Sequence, residues 1–528
     1  MRLLPLALLL VAAGCSSSAE DARSDAAPAA ETNTSAWTVV PGVGIGELHV
    51  GDTYASVRVK LGAAESTAGV NHLVFGRWPT KSLELVFASR EEDALSEDAL
   101  VLAIGARTGA DVVGPARPGI PRGELVDALG APSDEIGSIL YWPSGVSAQL
   151  SKEGVVTQVA TFSKYAPETT VAEMAPSNGT VSTPRAIDSA VAAKVTTVDM
   201  HLHPGRFGRI PVDTRKFIVG STPVFTQLYA PSALAAAIDT FTPFVGIKAQ
   251  AGFAAVDHAV FFAVYTQKTT GWLANEDLEA ILTDPRNVAT DGLPWAFGLA
   301  SINFFDGYLR ADGTVDPAVS KKRLDVLASY FEKRRDLFIG IKLAHPHQQV
   351  AFDDTRYLGV YDIATKYGVP VYLHTGFSPF GSAKNERAYY DPEGLRNTIK
   401  NNPKVKFILG HVGQGDALAV EHCLSLAKEL PNVFLEISAL NRPVLRDLDG
   451  KDVPANADAP QYPYVLEQVK KRGIVDKTIF GTDGPQYAGM VRGYVNLITR
   501  SMKEKDFTDE EIAKVMSRNF FAVFFGAA

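Results

Sequence analysis

Cysteine is nearly absent: the 528-residue chain has two, Cys15 and Cys423. A disulfide framework is thereby excluded as the organiser of the fold. Charge is also modest. Asp, Glu, Lys and Arg make up 21% of the residues, the formal net charge is −8, and no basic stripe gathers on any segment. Nucleic acid and other polyanions are therefore not expected partners. The apolar run at 3–13 is too short to cross a bilayer as a helix. No Gly-rich phosphate loop follows the first apolar strand of the long C-terminal region, which argues against nucleotide binding. What remains is a chain of ordinary apolar content, 46%, long enough for two or three domains with a large core.

The first residues read as an export signal. Met1-Arg2 supplies a positive charge, the apolar run follows, and it ends in Ala12-Ala13-Gly14-Cys15. This pattern resembles a bacterial lipoprotein signal spanning 1–15. The resemblance implies that Cys15 is lipidated and becomes the mature N-terminus. It also implies a cell-envelope location, facing the periplasm or the surface. Ser16 in the next position points to the outer rather than the inner membrane. Membrane contact would then run through the N-terminal lipid alone. Residues 16–37, rich in Ser, Ala, Asp and Glu, read as a disordered tether. Cys423 sits in a helical apolar pattern, Ala419-Val420-Glu421-His422-Cys423-Leu424, and is expected to be a buried core thiol.

Residues 38–163 read as a duplicated small α+β module. The segment Gly51–Gly62 matches Gly119–Gly130 in its Gly and Leu positions, 68 residues apart at both ends. Each copy predicts a short helix stopped by Gly, followed by three alternating strands. This module resembles repeated units of small periplasmic binding and assembly lipoproteins, which implies an envelope partner. No catalytic constellation lies in it, and His49 and His72 stand alone. Residues 164–193, with Pro167, Pro176 and Pro184, read as a linker.

From 194 to 528 the pattern alternates. Strands are predicted at 194–200, 258–266, 295–302, 338–343, 370–374, 405–411, 433–438 and 478–482. Amphipathic helices lie between them, at 316–334, 355–367, 395–401, 417–429 and 462–472. Eight strands alternating with helices predict a (β/α)8 TIM-like barrel, with an open doubly wound sheet as the alternative.

Polar signals close these strands. Val198-Asp199-Met200-His201-Leu202-His203 puts two imidazoles on one side of a strand, because side chains alternate with period two. Tyr372-Leu373-His374-Thr375-Gly376, Ile408-Leu409-Gly410-His411-Val412-Gly413 and Ile479-Phe480-Gly481-Thr482-Asp483 end later strands. In a barrel, strand ends gather at one rim. Neutral imidazoles and a carboxylate suit Zn²⁺, and also Mn²⁺ or Fe²⁺. An ion with an open position lowers the pKa of a bound water toward ~7. On this reading Asp483 both binds the ion and accepts the water's proton. His411 polarises a substrate carbonyl or protonates a leaving group. Lys342 lies near the end of the fourth strand. His345 and His347, just past it, and Arg206, after the His-x-His, are candidate substrate contacts. Arg209 reads either as an anion contact or as a solvated loop charge. Glu436 and Ser438 read as packing or supporting residues.

Taken in order, His-x-His, Gly340-Ile341-Lys342-Leu343, His374-Thr375-Gly376, Gly410-His411-Val412-Gly413, Phe480-Gly481-Thr482-Asp483-Gly484-Pro485 and the closing Arg518-Asn519-Phe520-Phe521 resemble the amidohydrolase superfamily. The likeness is greatest to its amidohydrolase-related branch, which holds aminocarboxymuconate-semialdehyde decarboxylase. It covers about residues 195–525. The resemblance implies that His201, His203, His374 and Asp483 hold one divalent metal and that His411 is the catalytic acid/base. For Lys342 it leaves two roles open. One is a carbamylated bridge between two metals; the other is a partner for a substrate carboxylate or a neighbouring acid. One ion is expected rather than two. The expected function is hydrolysis of a C–N or C–O bond of a small molecule, with non-oxidative decarboxylation at the same site as the alternative. A non-catalytic envelope binding protein is the third reading, disfavoured because the ligand set is complete.

Overall fold

The computed structural model describes residues 36–527 except 71–72, 90, 92–93, 165–167, 169, 172, 177–182, 221–227, 230–246, 249–250, 253, 441–443, 450, 453–460 and 485–489. Cys15, residues 16–35 of the tether and His72 lie outside the described residues, and Trp37, the last residue of the predicted tether, begins the strand Trp37–Val40. The chain forms two compact units. One comprises Met1–Ala166 with Lys216–Ala236, the other Pro167–Arg215 with Ala237–Ala528. The stretch at 167–193, read above as linker, thus groups with the second unit. Among the described residues no helix is long and apolar enough to cross a membrane.

The first unit is built twice over. The helix Tyr54–Leu61 precedes strands Ser66–Val70, Leu73–Trp78, Leu83–Ala88 and Leu100–Arg107. The helix Arg122–Leu129 precedes Asp134–Ile136, Ile139–Trp142, Val146–Leu150 and Val156–Phe162. All eight strands form one antiparallel sheet, in which the fourth strand of one copy pairs with the fourth of the other, from Gln158↔Arg107 to Phe162↔Ala103. Each copy therefore has four strands where alternation predicted three. The extra ones, Ser-Thr-Ala-Gly-Val and Asp-Glu-Ile, are the outermost strands, where pairing on one side only tolerates small and acidic residues. The copies share a detail that sequence alignment alone does not reveal. The Trp78 indole donates to the Gly62 carbonyl at 3.2 Å and the Trp142 indole to the Gly130 carbonyl at 2.8 Å. Both glycines end their helices at the same positive φ, 82° and 80°, a region open to Gly at little cost.

In the second unit eight parallel strands run in chain order: Val198–Leu202, His258–Phe262, Ala296–Ala300, Phe338–Leu343, Val371–His374, Phe407–Gly410, Val433–Glu436 and Thr478–Ile479. Every residue of these strands is buried except the partly exposed Phe434, as expected of a parallel sheet covered by helices. The first and last strands come together through a parallel bridge between Leu202 and Gly484 and a 2.7 Å bond from His203 N to Gly484 O, so the sheet is nearly closed into a barrel. The second strand ends at Phe262 rather than 266, because Val264–Thr266 pairs instead with Gly271–Leu273 in a separate hairpin. Side-chain caps start two of the helices. Asp316 accepts from Ala318 N and Val319 N ahead of Pro317–Lys333, and Asp416 accepts from Leu418 N and Ala419 N ahead of Ala417–Glu429.

Candidate metal centre at the barrel rim

Asp199, His201 and His203 share one side of the first strand. Asp199 is fully buried and ties that strand to the last one. Its carboxylate accepts from Thr482 Oγ1 at 2.7 Å, Thr482 N at 3.0 Å and His201 N at 3.1 Å. Burial pushes this carboxyl up to about 7 against those bonds. The tie sets His201 beside Asp483. His201 Nε2 lies 2.9 Å from His203 Nε2, and both nitrogens lie 3.3 Å from Asp483 Oδ1.

The far side of the His201 ring is fully engaged. Its Nδ1 is 2.9 Å from the Tyr372 hydroxyl, 3.1 Å from Ser438 Oγ and 3.3 Å from Glu436 Oε2. A histidine held through Nδ1 presents Nε2 as its ligand atom. His411 is held in the same manner, with Nδ1 2.8 Å from Ser438 Oγ. Its ring stands 4.9 Å from that of His201 and 4.4 Å from that of His374. Potential ligand atoms of His201, His411 and Asp483 all fall within 4.8 Å of one another. His374 Nε2 is buried with no hydrogen-bond partner among the described residues.

The backbone is bent to make this arrangement. His411, Val412 and Asp483 have φ of 63°, 44° and 61°. Such conformations cost on the order of 1–3 kcal/mol each and persist only where surroundings enforce them. Thr375 helps to enforce the first two: its hydroxyl donates to Gly410 O at 2.6 Å and accepts from Gly413 N at 2.9 Å. Two glycines clear space. A Cβ on Gly410 would stand 1.8 Å from the Tyr372 hydroxyl, and one on Gly481 would stand 2.2 Å from Glu436 Oε1.

Beneath the cluster Lys342 is 2% exposed. Its Nζ lies 4.0 Å from the Tyr372 ring centroid and 4.8 Å from that of Phe262. Burial brings the ammonium down to about 7, although Asp483 and Glu436 oppose the shift. Burial likewise raises the Glu436 carboxyl to about 7. His201 and His374 are held well below the usual imidazole range, again by burial first. Both are therefore neutral, the form that ligates metals. Converging neutral imidazoles, a carboxylate and an orphaned buried nitrogen fit a divalent cation with N/O preference.

The structure thus brings together His201, His203, His374, His411 and Asp483, with Lys342 adjacent. A potential ligand atom of His411 falls within 4.8 Å of those of His201 and Asp483, two of the four residues expected to form the donor group. His347 joins the edge: its ring is 4.9 Å from that of His374, and its Nδ1 is 3.0 Å from Thr269 Oγ1. His345 does not join. Its ring is packed between Phe352 and Tyr357, at 4.1 and 4.4 Å. Arg206 is mostly exposed and pairs with Glu168, while Arg209 is buried between Glu168 and Asp277. Sequence reasoning passed over Asp199, Phe262, Tyr372 and Thr482. Two of these carried a signal, since Asp199 and Tyr372 precede His201 and His374 by two residues and so share their side of the strand.

Residues 318–524 match the family model described as Amidohydrolase. No curated protein matches the sequence. Among solved structures, an uncharacterised TIM-barrel protein from Bordetella bronchiseptica is 14% identical with a TM-score of 0.42, covering 63% of this chain and 99% of that one. The 5-carboxyvanillate decarboxylase from Sphingomonas paucimobilis is 12% identical with a TM-score of 0.38, covering 63% and 99%. A dihydroorotase is 16% identical with a TM-score of 0.35, covering 63% and 70%. The family match lies wholly inside the barrel and runs over its fourth to eighth strands, which is consistent with a metal-dependent enzyme.

Proposed function

We propose that the protein hydrolyses a C–N or C–O bond of a small molecule in a metal-dependent reaction. The observation that carries this reading is the convergence of His201, His203 and Asp483 within 3.3 Å, beside a His411 whose Nδ1 is fixed by Ser438. His201, His203, His374 and Asp483 would hold the ion, with Zn²⁺ the best match to the donors. When bound, the ion supplies Lewis acidity and makes water acidic enough to act as a nucleophile at neutral pH. On this reading Asp483 would take a proton from the attacking water. His411, facing the same space, would polarise the scissile carbonyl and hand a proton to the leaving nitrogen or oxygen. The buried walls, among them Phe262 and Tyr372, exclude bulk water and strengthen each of these interactions.

Lys342 favours a second reading. A buried ammonium under the cluster would pair with a substrate carboxylate, and His411 would deliver a proton to the carbon that releases CO₂. We further infer an envelope location through lipid on Cys15, supported by the N-terminal sequence pattern. Lipid on a mature N-terminal Cys15 would appear directly in the intact mass of the membrane-extracted protein.

The test of the chemistry pairs metal analysis with turnover. Purified protein is expected to hold one divalent ion per chain and to hydrolyse a member of a panel of esters, lactones and amides. Release of CO₂ from aromatic carboxylates instead would select the second reading. Absence of both activities and of bound metal, with His201→Ala as the control, would overturn both.

A further inference from the structure

Two strands of the barrel are interrupted beside the histidine cluster. In the first strand Asp199 pairs with Ala259 and Leu202 with Phe261, so three steps along it answer two along its neighbour. This is a bulge, a device that re-aims side chains next to sites. The last strand stops at Ile479. Met200 N still donates to Phe480 O at 3.2 Å and His203 N to Gly484 O at 2.7 Å, but residues 481–483 between them belong to no strand.

At each interruption a backbone N–H turns to the same side chain. Asp199 Oδ1 accepts from His201 N in the bulge at 3.1 Å and from Thr482 N in the gap at 3.0 Å. Its other oxygen accepts from Thr482 Oγ1 at 2.7 Å. Asp199 and Thr482 are both fully buried, so bulk water does not compete for these bonds.

What is held is the approach to two candidate ligands. Thr482 precedes Asp483, whose φ of 61° persists only where the surroundings enforce it. The outcome is a spacing. His201 Nε2 and His203 Nε2 each lie 3.3 Å from Asp483 Oδ1. Two atoms that are each about 2.0–2.1 Å from a tetrahedral ion stand about 3.3 Å apart. His201 and Asp483 come from opposite ends of the strand order, so chain continuity does not set this distance.

We propose that Asp199 is a positioning residue: by taking up the backbone at both interruptions, it holds His201 and Asp483 at the spacing of one ion's donors before any ion is bound. Its oxygens are occupied by these three bonds, so it acts through the two residues and not on the ion. The part concerning the ion rests on the metal-centre reading of the cluster; the hold on the backbone does not.

The experiment uses the full-length protein with Asp199→Ala, Asp199→Asn and Thr482→Val. Asparagine keeps Oδ1 for both N–H groups, and the Thr482 hydroxyl can turn to accept from its amide. Metal-stripped proteins are titrated with Zn²⁺ and with Co²⁺, whose visible spectrum reports donor geometry. Asp199→Ala is expected to weaken Zn²⁺ binding about 10–100-fold and to alter the Co²⁺ spectrum. Asp199→Asn should stay within about threefold of the wild type and keep its spectrum. Hydrogen exchange across residues 479–484 of the metal-free protein should speed about tenfold in Asp199→Ala. Faster exchange with unchanged affinity and spectrum would leave Asp199 a closure of the barrel alone and overturn the positioning role. Equal losses in both Asp199 variants would also overturn it, since the effect would then lie in charge and not in the backbone bonds. Should Asp199→Ala fail to fold, Thr482→Val decides. It keeps the backbone bond and removes the one at 2.7 Å. A loss of affinity of about tenfold supports the proposal, and wild-type affinity overturns it. Should the wild type bind no metal, the metal-centre reading fails on its own, and the exchange rates still decide the hold on the backbone.

Discussion

Ser438 Oγ lies 2.8 Å from Nδ1 of His411, and the same oxygen lies 3.1 Å from Nδ1 of His201. One hydroxyl thus sets the orientation of two imidazoles that face the same space. Ser438→Ala is expected to lower metal affinity or kcat/KM by about 10–100-fold, the usual effect of removing an outer partner of a ligand. The melting temperature should move little, since the hydroxyl is small. Titration of the metal-free variant with Zn²⁺, followed by steady-state kinetics, measures both effects.

Metal removal should be decisive and reversible. Dialysis against a chelator is expected to abolish turnover, and added Zn²⁺, Mn²⁺ or Fe²⁺ to restore it. His201→Ala and Asp483→Ala should lack the ion after purification, as measured by elemental analysis. Full activity after verified removal of metal would rule out the proposed chemistry.

Gly481 and Gly410 leave room on either side of one hydrogen bond, from the Tyr372 hydroxyl to Glu436 Oε2 at 2.7 Å. Each Gly→Ala substitution should destabilise the barrel by about 1–3 kcal/mol, the usual cost of overpacking a filled core. The two costs should add to less than their sum, because either one disrupts the same bond. Urea denaturation of the single and double variants gives the three numbers.

Glu276 lies on the helix Asn275–Leu282, and burial pushes its carboxyl up to about 7. In the folded state it therefore holds its proton to higher pH than in the unfolded chain. Stability from this group is full below the ordinary glutamate range and falls as pH rises toward about 7. Glu276→Gln should remove that fall. The urea midpoint of the variant should exceed the wild type by more at pH 8 than at pH 4. An equal difference at both values would refute the assignment.

The barrel was legible because each strand is a short apolar run closed by a polar signal, and alternation with capped helices leaves few other topologies. The helix at 417–429 falls on the predicted residues, with Asp416 as its cap. The five candidate site residues were legible as strand ends. What escaped notice depends on distant partners or on backbone conformation. The 3.0 Å bond from Thr482 N to Asp199 spans 283 positions, and the positive φ of Val412, a β-branched residue, has no compositional mark. Arg206 and Arg209 looked like anion contacts because Glu168 lies some forty residues upstream, in a stretch that composition marks as linker. His345 and His347 are two residues apart yet diverge, since they sit on the helix His345–Gln348 rather than on a strand.

The sheet of the first unit has one seam, where Leu100–Arg107 meets Val156–Phe162. Gly105 and Gln158 both lie on it. A duplicated unit offers two equivalents of every surface feature except those on its dyad, which occur once.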